Sequence, residues 1–193
     1  MEQKPEPPIV AFARAHEWEE WLAGHFDEQQ GAWLRFYKKG SGVATVSYDE
    51  ALDVALCYGW IDGLVNKYDD KSYLQRFVPR RAKSKWSKRN TEHVARLTAE
   101  GRMRPPGLAA VEAAKKDGRW DAAYESPSNV TVPDDFQAAL DAKPAAKAAF
   151  ETIDRTNRYA ILYRITQVKK PETRAANIRK FVEMLVRGEK IHS

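Results

Sequence analysis

Two runs of alternating residues, Ile61 to Tyr68 and Ser72 to Val78, are separated only by Asp69 and Asp70 and their flanking residues, and the second is closed by Pro79. A period of two, rich in β-branched and aromatic residues, is a strand signal, and so short a break allows only an antiparallel return. With a loop of two or four residues, positions summing to 139 stand opposite each other, so Ile61 faces Val78, Val65 faces Leu74 and Gly63 faces Arg76. Arg76 then lies on an otherwise apolar face, over the one residue that has no side chain. A half-buried guanidinium requires a partner, either a carboxylate from elsewhere in the fold or a bound anion.

The rest of the chain supplies a third strand and many helices. Ala32 to Lys38 alternate, with Leu34 and Phe36 on one side and Trp33, Arg35 and Tyr37 on the other. Before it, Trp18, Trp21, Leu22, His25 and Phe26 recur at helical spacing and end near Gly31. Ser47 and Glu50 form a capping box, with Val46 placed to staple against Ala51, for a helix that stops before Gly59. Ser84 or Ser87 caps a helix carrying Val94 and Leu97, and Pro105 and Pro106 lead another that closes at Gly118. Beyond the linker ESPSNVTVP at 125 to 133 the composition turns Ala-rich, with Pro133, Pro144 and Pro171 as first-turn residues of helices. The expected fold is α+β: a small antiparallel sheet of about three strands flanked by helices over 1 to 124, then a helical subdomain over 130 to 193.

Charge is distributed unevenly. Residues 1 to 75 carry seven lysines and arginines against thirteen acids, 76 to 119 carry thirteen against four, and 120 to 193 carry twelve against ten. The densest part, 80 to 89, holds Arg80, Arg81, Lys83, Lys85, Lys88 and Arg89 with no acid, and Trp86 lies among them. These cations precede and open a helix, whose free N–H groups and positive dipole end add to their attraction for an anion. The same run is also what a solvated face looks like. The candidate ligand-binding set is Trp60, Arg76, Arg80, Arg81, Ser84, Lys85, Trp86, Lys88 and Asn90. Trp86 is placed either to stack on a base or to lie on the core. Asp62, between Trp60 and Gly63, is the candidate acid or base, since a carboxylate desolvated by an indole has a raised pKa. A carboxylate that caps the turn has the same signature.

Several classes are disfavoured. One cysteine, Cys57, allows no internal disulfide, and its apolar neighbours favour the protonated thiol. His16, His25, His93 and His192 lack metal-ligand spacing, the Gly40/Gly42 pair lacks the context of a phosphate loop, and nothing indicates a cofactor. No apolar run has the length of a signal peptide or a membrane span, so a cytoplasmic protein without membrane insertion is expected.

The series ALCYGWIDG (55 to 63), RFVPRRAKSKWSKRN (76 to 90), GRM and PPG (101 to 107), DGRWDAAY (117 to 124), VPDDFQAAL (132 to 140) and KKPETR (169 to 174) resembles the bacterial YdeI/OmpD-associated, or bacteriocin-protection, family across nearly the whole chain. Val168 and Asn177 depart from it, and an arginine common in that family's last helix has no counterpart at Asn177. The resemblance implies a stress or peptide-protection role, exercised through a protein partner because the basic band would repel cationic peptides. The residues themselves favour a non-catalytic binding protein for an anionic small molecule or a nucleic acid. The remaining alternative is a small-molecule enzyme using Asp62 with Arg76 and Arg80.

Overall fold

The computed structural model describes residues 6–126 and 129–192. Residues 127 and 128 of the expected linker, and the opening residues 1–5, lie outside the described residues. The described chain is α+β, with eight helices and one four-stranded sheet among the described residues. It divides into two compact units, 1–123 and 124–193.

In the first unit the order is β1 (Ile9–Val10), α1 (Ala15–His25), β2 (Ala32–Tyr37), α2 (Tyr48–Cys57), β3 (Trp60–Lys67), β4 (Ser72–Pro79), α3 (Lys88–Ala99) and α4 (Pro105–Lys116). The sheet runs β1-β2-β4-β3. The three antiparallel strands are those expected from alternation. The fourth, β1, is only two residues long and lies parallel to β2, too short to leave a period in the sequence.

Trp60, Asp62, Phe77, Ala32, Leu34 and Phe36 turn toward the helices, and Trp33, Arg35, Arg76, Val78 and Ile61 toward the other face, as the strand pairings require. The helical side is the core. Trp18 and Leu22 of α1 and Leu52 and Leu56 of α2 pack there on Leu34, Trp60 and Phe77, and the Trp18 ring lies 5.8 Å from Phe77 and 6.2 Å from Trp60. Ser47 closes the capping box with Glu50, its Oγ accepting from the Glu50 N–H at 3.3 Å. Gly107 lets α4 approach the end of α2, since a Cβ there would overlap the Cys57 carbonyl.

The expected register holds at one end of the β3–β4 ribbon and fails at the other. Ile61 faces Val78, but Val65 faces Gln75 rather than Leu74, because Gly63 and Leu64 together stand opposite Arg76 in a bulge. One extra residue there shifts every later pair by one.

The second unit consists of α5 (Asp134–Asp141), α6 (Pro144–Thr152), α7 (Arg155–Thr166) and α8 (Pro171–Val186). Phe136, Leu140, Phe150, Ile161, Ile165, Phe181 and Leu185 form its core, with Phe136 edge-on to Phe150 at 5.2 Å. Pro144 and Pro171 open their helices in the first turn, whereas Pro133 is the residue before α5. Asp154 caps α7 by accepting the Asn157 N–H at 2.9 Å, and Arg174 of α8 forks onto Asp135 of α5.

Candidate functional site

The alternation of β4 sends Arg76 to the sheet face opposite the helices. It stands across from Trp33 of β2, its guanidinium carbon 5.3 Å from that ring centroid. On its other side is Gly63, where a Cβ would come to 3.6 Å of the Arg76 Cβ, so the absent side chain leaves the arginine room to extend. Its Nη2 donates to the carbonyl of Gln30, in the loop after α1. Gly31, at a φ of +64°, seats that loop against β4, where a Cβ would overlap the Phe77 carbonyl.

No carboxylate among the described residues answers the Arg76 charge. Its Nη1 is buried and has no hydrogen-bond partner among the described residues. Burial alone draws its pKa below the ordinary arginine value. Both readings of Arg76 required an anionic partner, and within the described residues that partner is a backbone carbonyl and an indole face. A buried donor left unmade carries a cost that a ligand can relieve.

Arg76 lines a cavity of about 600 Å³ together with Val78, Arg81, Glu6, Glu28 and Gln30. Of the residues singled out from sequence, Arg76 and Arg81 meet there. Arg81 is held by its backbone N–H, which donates to Ser84 Oγ at 2.9 Å. Ser84 therefore braces the loop, and its carbonyl accepts from Arg119 at 2.9 Å.

The other candidates go elsewhere. Trp86 is 1% exposed and packs 4.9 Å from Trp120, with the Arg80 guanidinium 3.5 Å above its ring. Its stacking alternative is thereby corrected: the indole is core, and the face it offers is covered by an arginine. Arg80 also donates to the Lys85 carbonyl at 3.1 Å, which curls the basic loop on itself. Trp60 is likewise core, its Nε1 donating to the Phe26 carbonyl at 2.7 Å, so it presents no surface to a ligand. Asn90 is buried in the first turn of α3, where Ser87 accepts its backbone N–H. Lys85 and Lys88 are exposed, Lys88 at the start of α3.

Asp62 faces the helices and accepts the Tyr48 hydroxyl at 2.9 Å. It pairs across the ribbon with Phe77, on the opposite face from Arg76. Tyr48 is in consequence a poor acid, its pKa raised by burial and then by the Asp62 charge.

Three features escaped the sequence. Glu28 and Gln30 reach Arg76's surroundings through a loop 46 residues away in the chain, for which only Gly31 gave a hint. Arg35 lies between the rings of Tyr37 and Tyr68, at 4.6 and 4.5 Å, and is paired with Asp69 at 2.6 Å, so its charge is already answered. Asp53 of α2 binds His93 at 2.7 Å and Arg96 at 2.6 Å, joining α2 to α3. Burial alone would raise the Asp53 pKa, and the Arg96 and His93 hydrogen bonds overcome it and lower it. Cys57, one turn beyond Asp53, is pushed by burial up to about 11, which suits a packing role. Among the described residues no group of three His, Cys, Asp or Glu could hold a metal, and no helix is long and apolar enough to cross a membrane.

Two family models match the chain. Residues 10–110 match Domain of unknown function (DUF8412), and residues 129–188 match Bacteriocin-protection, YdeI or OmpD-Associated. The motifs at 55 to 63 and 76 to 90, with Arg76 and Arg81, fall in the first match, and those at 132 to 140 and 169 to 174 in the second. No curated protein and no solved structure matches.

Proposed function

We propose that this chain, which belongs to the family of Domain of unknown function (DUF8412) and carries a YdeI or OmpD-associated domain at 129–188, binds a small ligand through an anionic group. The observation that carries this reading is Arg76 at the wall of the cavity, with a buried Nη1 that lacks a hydrogen bond and a guanidinium that lacks a carboxylate among the described residues. A planar fork of donors of this kind matches the oxygens of a carboxylate or phosphate. Arg81 adds a second cation, and the neighbouring basic loop raises the local concentration of anions.

A small ligand is favoured over a nucleic acid. The aromatic platform expected of Trp86 is buried, and a cavity of about 600 Å³ has the dimensions of a small-molecule site. Binding is favoured over catalysis because Asp62, the candidate acid or base, faces the helices and not Arg76.

Thermal unfolding with and without inorganic phosphate, succinate or phosphoserine tests this, since a ligand that binds the folded form raises its melting temperature. At least one of these anions is expected to stabilise the wild-type chain and to leave Arg76→Met unmoved. Equal shifts in both proteins, or no shift with any of the three, would refute the assignment.

A further inference from the structure

The cavity that holds Arg76 and Arg81 is also lined by two acids, Glu6 and Glu28. No ion pair among the described residues joins either arginine to either acid, and none of the four makes another ion pair among the described residues. The site therefore offers cations and carboxylates that do not pair with one another among the described residues. Gln30 touches both kinds. Its carbonyl takes Arg76 Nη2, while its side-chain amide donates to Glu28 Oε2 at 3.2 Å, so one residue holds the arginine on one side and the carboxylate on the other. Val78 contributes an apolar surface to the same lining.

We infer that the ligand is a zwitterion of amino-acid or short-peptide type, its acid group on Arg76 and Arg81 and its ammonium group on Glu28 and Glu6. This rests on the reading of Arg76 as an anion site and adds the second pole to it. A simple dianion would meet repulsion from the two glutamates, and a simple amine would leave the Arg76 donors unmade. A molecule with both charges satisfies both poles, and its aliphatic part rests on Val78. The volume, about 600 Å³, lies within the ordinary range of small-molecule sites. Gln30 then acts as a positioning residue, setting the spacing between the charges that the ligand must match.

The experiment is isothermal titration of the whole chain with three forms of one probe: free alanyl-alanine, its N-acetylated form and its C-terminal amide. The free dipeptide is expected to bind, and loss of either charge is expected to weaken it by about tenfold or more, as for a charge-assisted hydrogen bond. Glu28→Gln is expected to weaken the free dipeptide comparably while leaving the acetylated form unchanged, and Arg76→Met to do the same for the amide. The arms separate the two readings. If the acetylated dipeptide binds as tightly as the free one and still needs Arg76, the zwitterion is refuted and the anion site stands. If the amide binds as tightly as the free form, or Arg76→Met binds normally, the anion site falls and the zwitterion with it. Absence of binding by the free dipeptide overturns the zwitterion inference, and the phosphate, succinate and phosphoserine experiment then decides the anion site separately. Because the three ligand forms are compared on the unmutated chain, the test of each ligand charge does not depend on any variant folding, and the variants are read only where their unfolding transition is intact.

Discussion

The hydroxyl of Tyr48, the first residue of α2, donates to Asp62 of β3 at 2.9 Å, tying the start of that helix to the sheet. Removing the hydroxyl in Tyr48→Phe leaves the half-buried carboxylate short of a donor, a loss of about 1.5 kcal/mol for a hydrogen bond to a charged group. Burial first and the Asp62 charge second raise the Tyr48 pKa above its ordinary value. The folded chain therefore keeps this proton where the unfolded chain releases it. The contribution is complete below the unfolded tyrosine pKa of about 10 and is lost as the pH climbs beyond it. Urea midpoints of wild type and Tyr48→Phe should differ at neutral pH and draw together above about pH 10. A gap that stays constant would contradict the linkage.

Arg76 is expected to contribute little to stability, since its Nη1 is buried without a hydrogen bond among the described residues. Replacing a guanidinium whose Nη1 is unsatisfied by an apolar side chain of similar length removes a desolvation cost along with the bond to Gln30. Arg76→Met is accordingly expected to unfold within about 1 kcal/mol of wild type. Chemical denaturation measures this. A loss of about 3 kcal/mol or more would mark Arg76 as a structural member of the fold.

Cys57 should be chemically silent in the folded chain. Burial holds the thiol protonated, with its pKa pushed up to about 11. A disulfide reagent such as Ellman's, added near neutral pH, is expected to find no thiol until denaturant is present, and one thiol per chain afterwards. Rapid reaction of the native protein would show that the end of α2 opens.

Asp154 links the second unit to acid. Its hydrogen bonds from the Asn157 backbone and side chain, and then Lys190, lower its pKa to about 2. Because the folded value lies below the unfolded one, the stabilisation is present at neutral pH and lost as the pH falls through about 2. Asp154→Asn keeps an oxygen for the cap and removes the charge. Its melting temperature is expected to fall below that of wild type at neutral pH and to meet it as the pH approaches 2.

Local chemistry wrote much of this fold visibly into the chain. The capping box at Ser47, the prolines at 105, 144 and 171 and the alternation of β2 and β4 each act within a few residues, and their elements lie where those signals put them. Long-range effects were not visible. The carbonyl that holds Arg76 comes from Gln30, and the acids of the same cavity come from Glu6 and Glu28, none of which carries a local signature. A tryptophan among lysines has the same pattern whether it is buried or exposed, and it is Trp120, more than thirty residues later, that makes Trp86 core. The slip in the β3–β4 ribbon has a similar origin, since a bulge is decided by how the strands twist together and leaves no mark on the period of either one.

That slip also bears on the open border of the sheet. β3 is the outermost strand on its side of the sheet, and Leu64 and Val65 are 72% and 60% exposed along it. An apolar border of this kind ordinarily invites a neighbouring molecule to add a strand and begin a fibre. The doubled step at Gly63 and Leu64 breaks the regular phase of the outward-pointing amides, an interruption of the kind that keeps an edge strand from pairing along its full length with a neighbouring molecule.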